Sequence, residues 1–190
     1  MTVVPKLTQK KVVRDEVMYG VSWEQYESLV KKYWNQPTPR LTYDSGVLVK
    51  SISNSSEHEE DSRNLSFIFE IISIELEIDF RRLGSTTFTR KEIVKGFEPD
   101  SSFYIESLAK IEGAKNLGID NKTPPDLIIE VNRTSSSVPR MPVFAAFGVK
   151  EVWRFNKDEV KFYILEDKVY LETETSFAIP ILSSQRATAL

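Results

Sequence analysis

The fold is decided by the stretch Pro124-Pro-Asp126-Leu-Ile-Ile-Glu130-Val-Asn132. Its unbroken apolar centre is typical of a strand buried on both faces in the middle of a sheet. Side chains alternate along a strand, so Asp126, Glu130 and Asn132 share one face and the intervening apolar residues share the other. A carboxylate at the end of such a strand is costly to bury without a partner. Glu130 therefore needs a structural or chemical reason to be there.

A second carboxylate, Asp100, raises the same question near the start of a predicted strand over Glu98–Ile105. Two carboxylates at neighbouring strand ends repel each other unless a cation, a proton or an arginine lies between them. Magnesium prefers carboxylate oxygens and waters, and it lowers the pKa of a bound water. The alternative is that the carboxylates cap turns or pair with Arg133, Arg140 or Lys150. The spacing alone does not decide between these two explanations.

Helices and strands alternate around this pair of strands. Ser22 and Gln25 form a capping box, the N-terminal signature of a helix. Apolar spacing, turns and helix stops predict the other elements. These are a hairpin over Leu41–Val49, a long helix over Ser56–Ile78, a strand over Arg82–Thr89, a short helix over Arg140–Phe147 closed by Gly148, and a meander over Glu151–Phe155, Val160–Leu165 and Lys168–Thr173. The order predicts an α/β (α+β) fold with a mixed central sheet flanked by helices.

The long helix carries two apolar stripes. One contains Leu65, Ile68, Phe69, Ile72 and Leu76, and the other contains Phe67, Ile71, Ile74 and Ile78. A surface helix shows a single stripe. Two stripes predict burial on both sides, one against the sheet and the other against a further helix of the domain or a second subunit.

Composition limits the kinds of protein this chain can be. With 190 residues, of which 41% are hydrophobic and 28% charged, it suits one globular domain. The lack of cysteine excludes disulfides and sulfur-ligated metals, and a single histidine excludes a multi-histidine zinc site. The net charge of −3 argues against a surface coated with positive charge for nonspecific DNA binding. No apolar run is long enough to cross a membrane, which predicts a cytoplasmic protein.

The chain divides into three parts. Residues 1–20 contain no apolar stretch or cleavage site and are predicted to be a flexible leader, not a secretory signal. Residues 21–182 form the single domain, and 183–190 are predicted to be a polar tail.

Several blocks of the sequence resemble the Uma-two-type restriction endonuclease family, which is abundant in cyanobacteria and belongs to the PD-(D/E)xK nuclease superfamily. The resemblance runs from about Val21 to Leu182. Its distinctive blocks are GVSWEQYESLV, RLTYDSGVLV, SEHEEDSRNL, LGSTTFTRKEIVKGFEPDSSFYI, PPDLIIEVNRTSSS and FAAFGVKEVWRF. The family implies a restriction-endonuclease-like domain that hydrolyses phosphodiester bonds in DNA with Mg²⁺ or Mn²⁺.

The family's functional residues carry over by position. Asp100 of EPD matches the motif aspartate, and Glu130 of IIEV matches the first acidic residue of (D/E)xK. The segment Glu57-His58-Glu59-Glu60 matches the element at the start of the first core helix. The resemblance therefore implies metal ligands Asp100, Glu130 and Glu57, with His58 at the edge of the site. Which residue of that segment reaches the site is left open.

Two positions depart from the family. Asn132 stands where the superfamily has lysine and close relatives have aspartate, and Arg140 stands where relatives supply a lysine after the Thr134-Ser-Ser-Ser137 turn. Asn132 is the weaker metal ligand. Arg140 keeps a positive charge for the transition state but cannot act as a base.

Two functions follow from the resemblance and these departures. The first is a Mg²⁺-dependent endonuclease, active or weakened, with Asp100, Glu130, Asn132, Arg140 and His58 as its catalytic residues. The second is a catalytically degenerate homologue that keeps the fold as a dimeric nucleic-acid-binding or structural protein. A homodimer is expected in both cases.

Overall fold

The computed structural model describes residues 15–34, 36, 38–52, 55–114, 117–119, 122–132 and 139–190. Its helices are α1 (Trp23–Tyr33), α2 (Ser56–Glu75), α3 (Met141–Phe147) and α4 (Ser184–Ala189). Its strands are β1 (Glu16–Tyr19), β2 (Arg40–Asp44), β3 (Val47–Ser51), β4 (Arg81–Arg82), β5 (Phe88–Arg90), β6 (Lys95–Phe97), β7 (Ser101–Tyr104), β8 (Leu127–Asn132), β9 (Glu151–Asn156), β10 (Glu159–Glu166) and β11 (Val169–Thr173).

The strands form two sheets. A five-stranded antiparallel sheet has the order β1-β3-β2-β6-β5, and a six-stranded sheet has the order β11-β10-β9-β8-β7-β4. In the larger sheet β8 runs parallel to β9 and antiparallel to β7. The sheet is therefore mixed, and helices lie on both of its faces. This confirms the predicted fold class.

The central strand β8 is buried on both faces. Leu127, Ile129 and Val131 belong to a core that includes Leu65 and Phe69 of α2. On the other face, Ile128 packs in a second core with Val143, Phe144 and Phe147 of α3 and with Phe88 and Phe97 of the five-stranded sheet. The predicted alternation is confirmed, and it directs Glu130 toward the same side as Ile128.

Helix α1 closes the N-terminal hairpin. Ser22 and Gln25 form the predicted capping box. Tyr26 of α1 stacks on Tyr43 of β2 with ring centroids 4.6 Å apart, inside a third core that includes Trp23. This packing fixes β2, and with it Arg40 at the beginning of that strand.

The ends of the chain differ from their prediction. Part of the predicted leader is strand β1, which pairs with β3 from Glu16↔Lys50 to Tyr19↔Val47. The predicted polar tail contains α4, whose Ala187 is buried in the core against β10. Near a terminus, a few apolar residues can form an additional strand if a sheet edge is open to them, or an additional helix if a core face is open to them. Residues 1–14 and the Thr134–Ser137 turn lie outside the described residues.

Two other elements also differ. The predicted strand over Arg82–Thr89 is split between the two sheets, because a bend at Gly84, with a φ of 58°, and Ser85 separates β4 from β5. Within the part of the chain that the structure describes, the second stripe of α2 does not pack on another helix. Phe67, Ile71 and Ile74 are 60%, 43% and 66% exposed, so that part of the prediction is wrong.

Among the described residues, no helix combines the length and the apolar character needed to span a bilayer.

Candidate active site

Asp100 and Glu130 are brought side by side by the pairing of β7 with β8. Ser101 pairs with Ile129, so Asp100 and Glu130 face each other one residue further along the two strands. The backbone N–H of Val131 donates a hydrogen bond of 2.7 Å to Asp100 Oδ2. Both side chains are almost completely buried, with 5% and 4% of their surface exposed. The predicted carboxylate pair therefore exists as a structural unit.

Asp100 is held by positively polarised partners on several sides. Arg40 Nη1 lies 2.5 Å from Oδ1, and His58 Nε2 lies 3.4 Å from Oδ2. Burial by itself raises the pKa of Asp100. The hydrogen bonds from His58 and Val131 and the charge of Arg40 outweigh burial, and the pKa is lowered from its usual value. Asp100 is therefore an ionised group at neutral pH.

His58 is the residue of the first turn of α2 that reaches the pair. Its backbone N–H is capped by Ser55 Oγ at 3.1 Å, and its ring Nε2 lies 3.0 Å from the carbonyl oxygen of Val131. It is 5% exposed. Neighbouring Glu57 is exposed, because consecutive helical positions point about 100° apart. His58 thus links the start of α2 to the strand that carries Glu130.

Glu130 has a different environment from Asp100. Arg140 Nη1 donates to Glu130 Oε2 at 3.1 Å, while Oε1 is buried and receives no hydrogen bond from the described residues. Burial raises the pKa of Glu130 to about 7, and the charge of Asp100 adds to the rise against the opposing effect of Arg140. One oxygen of this carboxylate is therefore available to a further ligand or a proton.

Arg140 immediately precedes α3 and is enclosed by three groups. It contacts Glu130, the hydroxyl of Ser51 on β3, and Asp15, whose Oδ2 lies 3.8 Å from Nη2. The Arg140 side chain is 14% exposed. The pairing of Glu130 with Arg140 is one of the alternatives that the sequence left open, and the structure shows it.

Asn132 is the last residue of β8 and is half-buried. Alternation places it on the same face as Glu130, two residues further along. Glu59 and Glu60 are exposed on α2, and Glu59 pairs with Arg63 at 3.0 Å. Of the predicted site residues, the structure thus brings together Asp100, Glu130, His58 and Arg140.

Three residues near the site were not found from the sequence. They are Arg40 on Asp100, Asp15 beside Arg140, and the partly buried Glu98. Burial raises the pKa of Glu98 to about 7, against the lowering effect of Arg40. The sequence signal was a charged residue at or next to the end of a strand, and that pattern is common.

A cleft with a volume of about 490 Å³ opens beside Asp100. It runs between α2 and the turn after β4, and it is strongly polar. Its lining residues are Arg40, Glu59, Ser62, Arg63, Asn64, Phe67, Glu70, Arg82, Gly84, Ser85 and Asp100. Asp100 is therefore reachable from solvent through a channel that contains three guanidinium groups.

The donor chemistry of the pair fits a divalent cation such as Mg²⁺. Magnesium usually keeps several waters and takes only one or two carboxylates from a protein. Asp100 and Glu130 supply two carboxylates, and Oε1 of Glu130, which has no hydrogen-bond partner among the described residues, is a possible ligand atom. Among those residues, no three histidine or acidic side chains are grouped to hold a metal ion. Carboxylate oxygens are the ligands that suit a hard, partly hydrated cation.

A mixed α/β fold of this kind is also found in a solved structure. Among solved structures, one from Anabaena variabilis ATCC 29413, described as "a putative nuclease belonging to DUF820", matches with a TM-score of 0.52 and 16% identity. The match covers 84% of this chain and 97% of that one. At this identity the likeness shows the fold alone. No curated protein matches the sequence.

The chain belongs to a family described as "Uma2: Putative restriction endonuclease", whose profile matches residues 23–188. This confirms the resemblance identified from the sequence blocks.

Proposed function

We propose that the protein is a DNA endonuclease of the PD-(D/E)xK type that hydrolyses phosphodiester bonds with Mg²⁺ or Mn²⁺. The observation that supports it best is the buried pair of Asp100 and Glu130, in which one oxygen of Glu130 has no hydrogen-bond partner among the described residues. Two adjacent buried carboxylates, one of which lines an open cleft, are costly to the fold. A site that uses their charge explains why that cost is kept.

Each residue of the proposed site has a separate task. Asp100 and Glu130 would hold the cation, and waters would complete its shell. Asn132 lies on the same face of β8 as Glu130, whereas Glu57 is exposed on α2. When bound, the cation polarises the scissile phosphate and activates a water. His58 orients Asp100 and the carbonyl group of Val131, because its Nε2 lies near both. Arg140 supplies positive charge where the phosphorane would become negative.

The cleft beside Asp100 supports DNA as the substrate. Arg63 and Arg82 pair with Glu59 and Glu70 at 3.0 Å and 2.9 Å, and both arginines are about half-exposed or more. Exposed ion pairs contribute little to stability, so a phosphate can recruit such guanidinium groups at small cost.

The test is cleavage of plasmid DNA at increasing Mg²⁺ or Mn²⁺ concentration. We expect nicked and linear products that depend on the metal and disappear with Asp100→Ala. Absence of cleavage with either metal, or equal cleavage by Asp100→Ala, would contradict the proposal. The exposed variant Lys157→Ala, on the turn between β9 and β10, serves as a matched control for preparation and contaminating nuclease.

The alternative function is a degenerate homologue that binds nucleic acid or serves as a structural protein. The observation favouring it is that Arg140 already neutralises Glu130, while Asn132 replaces a potential acidic ligand. The double variant Asn132→Asp with Arg140→Lys discriminates between the two functions. Cleavage that appears only in the double variant supports the degenerate homologue, and robust wild-type cleavage contradicts it.

We also propose a homodimer, through the exposed stripe of α2. Phe67, Ile71 and Ile74 lie at helical spacing on a face that no other described residue covers fully. A second copy of α2 packed against this stripe would bury it symmetrically. Light scattering at micromolar concentration should give a dimer mass that falls to a monomer with Ile71→Glu and Ile74→Glu together. A monomer in the wild type would refute the dimer.

Cytoplasmic location stays a prediction from composition.

A further inference from the structure

Arg140 lies between two carboxylates. Its guanidinium donates to Glu130 Oε2 at 3.1 Å and lies 3.8 Å from Asp15 Oδ2. The Arg140 and Asp15 side chains are 14% and 13% exposed, so water screens these contacts only weakly. Arginine is always charged in proteins. A full positive charge therefore occupies the neighbourhood of the carboxylate that a cation would use.

We propose that Arg140 is a built-in counterion that competes with the divalent cation for Glu130, and that Asp15 receives its guanidinium when the cation binds. This inference rests on the proposed function, because it concerns how the same site acquires its metal. The site then has an arginine-paired state, which the structure describes, and a metal-bound state in which the partner of Arg140 changes.

Electrostatic repulsion favours a change of partner for Arg140 when a cation binds. A guanidinium and a divalent cation bound to one buried carboxylate repel each other strongly, because the effective dielectric constant is well below that of water. The unpartnered Oε1 can accept the cation while Arg140 still holds Oε2. The repulsion then favours any second position open to the guanidinium.

Asp15 offers the guanidinium of Arg140 a second position. Asp15 is close enough to attract Arg140 but lies beyond the distance of a direct hydrogen bond. A small shift of the guanidinium would shorten the contact with Asp15 and lengthen the contact with Glu130. Asp15 directly precedes β1, whose pairing with β3 fixes it beside Ser51, the third partner of Arg140.

Two arginines keep the carboxylate pair stable without a metal. Two adjacent buried carboxylates would otherwise destabilise the fold. Arg40 compensates Asp100 and Arg140 compensates Glu130, so the geometry of the pair is preserved before a cation arrives. The cost of this arrangement is a weaker apparent affinity for the metal.

The experiment measures binding of Mn²⁺ alone by titration calorimetry or electron paramagnetic resonance. The proteins are the wild type, Arg140→Gln, Asp15→Asn and the double variant. Arg186→Gln on α4 is the charge-matched control, because it removes one arginine outside the site. Circular dichroism checks that each variant is folded.

We expect Arg140→Gln to bind Mn²⁺ at least about tenfold more tightly, a size within the coupling measured between close buried charges. We expect Asp15→Asn to bind it about tenfold more weakly, because Arg140 then has no second partner. In the Arg140→Gln background, Asp15→Asn should change the affinity by less than about twofold, because the two residues act as a unit. Arg186→Gln should behave as the wild type.

Two results would overturn the inference. One is equal or weaker Mn²⁺ binding by Arg140→Gln. The other is an equal change in Mn²⁺ affinity on Asp15→Asn in the wild-type and Arg140→Gln backgrounds. Asp15 would then act on the cation only through its charge and not through Arg140. Should Arg140→Gln fail to fold, Asp15→Asn alone carries the test, and unchanged Mn²⁺ affinity contradicts the inference. DNA cleavage by the wild type, measured in parallel, separates the two proposals. Tighter Mn²⁺ binding by Arg140→Gln together with no cleavage by the wild type supports the counterion and contradicts the endonuclease.

Discussion

Asp126 and Glu130 lie on the same face of one strand segment, and they are satisfied in opposite ways. Asp126 is 6% exposed and accepts hydrogen bonds from Ile105 N and Ser107 N and from the Ser107 hydroxyl, all between 2.8 and 2.9 Å. Glu130 is 3% exposed, has one arginine as hydrogen-bond donor and, among the described residues, keeps one oxygen without a partner. Burial alone therefore does not separate the two carboxylates, and the number of their hydrogen-bonded oxygens does.

The largest expected effect is on cleavage. Glu130→Gln preserves the volume of the side chain but removes the charge that would hold the metal. We expect a loss of more than about 100-fold in metal-dependent cleavage, beyond the range seen for loss of outer-shell partners of a metal. Asp126→Asn, assayed where it is folded, should stay within about tenfold of the wild type. Similar losses in both variants would break the distinction between the two carboxylates.

The next effect is on stability. Asp126→Asn replaces an acceptor of three hydrogen bonds by an amide with a single acceptor oxygen. We expect the free energy of unfolding to fall by about 2–4 kcal/mol, since hydrogen bonds to charged groups are worth roughly 1.5–3 kcal/mol each. Urea denaturation measures the change. A loss below about 0.5 kcal/mol, as at an ordinary surface position, would contradict the structural role of Asp126.

The pH dependence of stability gives a third contrast. Burial raises the pKa of Glu130 to about 7, so the folded state binds its proton more tightly than the unfolded state does. The stability linked to this proton is complete below the ordinary pKa of about 4.5 and is lost as the pH rises through about 7. Relative to the wild type, Glu130→Gln should therefore gain on the order of 1–3 kcal/mol between pH 5 and 8. A constant difference across that range would contradict the raised pKa.

The smallest expected effect concerns the cation beside Asp126. Lys150 Nζ lies 3.9 Å from Asp126 Oδ1, and the lysine side chain is 48% exposed. Lys150→Met should change the free energy of unfolding by less than about 1 kcal/mol, because exposed ion pairs contribute little. Thermal unfolding at low and high salt checks this prediction. A large, salt-dependent loss would show that Asp126 also depends on a counterion.

The sequence predicted those parts of the fold whose cause is local. The alternation of β8, the capping box at Ser22 and the stop at Gly148 follow from neighbouring residues. Asp100 and Glu130 were predicted as neighbours because both lie at ends of apolar strands. Arg40, the partner of Asp100, and Asp15, the carboxylate beside Arg140, were not found. Both come from the N-terminal part of the chain, where the pairing of the strands is decided by tertiary packing.

The second stripe of α2 shows another limit of sequence reasoning. Periodicity indicates which residues share a face, but it does not say whether the chain contains something to cover that face. Phe67 and Ile74 satisfy the helical spacing and still face outward. The partner of such a face is a property of the assembly and not of the local sequence.

The parallel pairing of β8 with β9 and the position of Arg40 have a consequence for folding. Arg40, His58, Asp100 and Glu130 come from separate segments of the chain, and each contact between them closes a long loop. Such contacts form late in folding. Closing the loop costs conformational entropy before the contact can lower the free energy of the chain. The complete site therefore arises only with the finished fold, and a chain still being synthesised, or one cut before β8, carries Asp100 without Glu130 beside it.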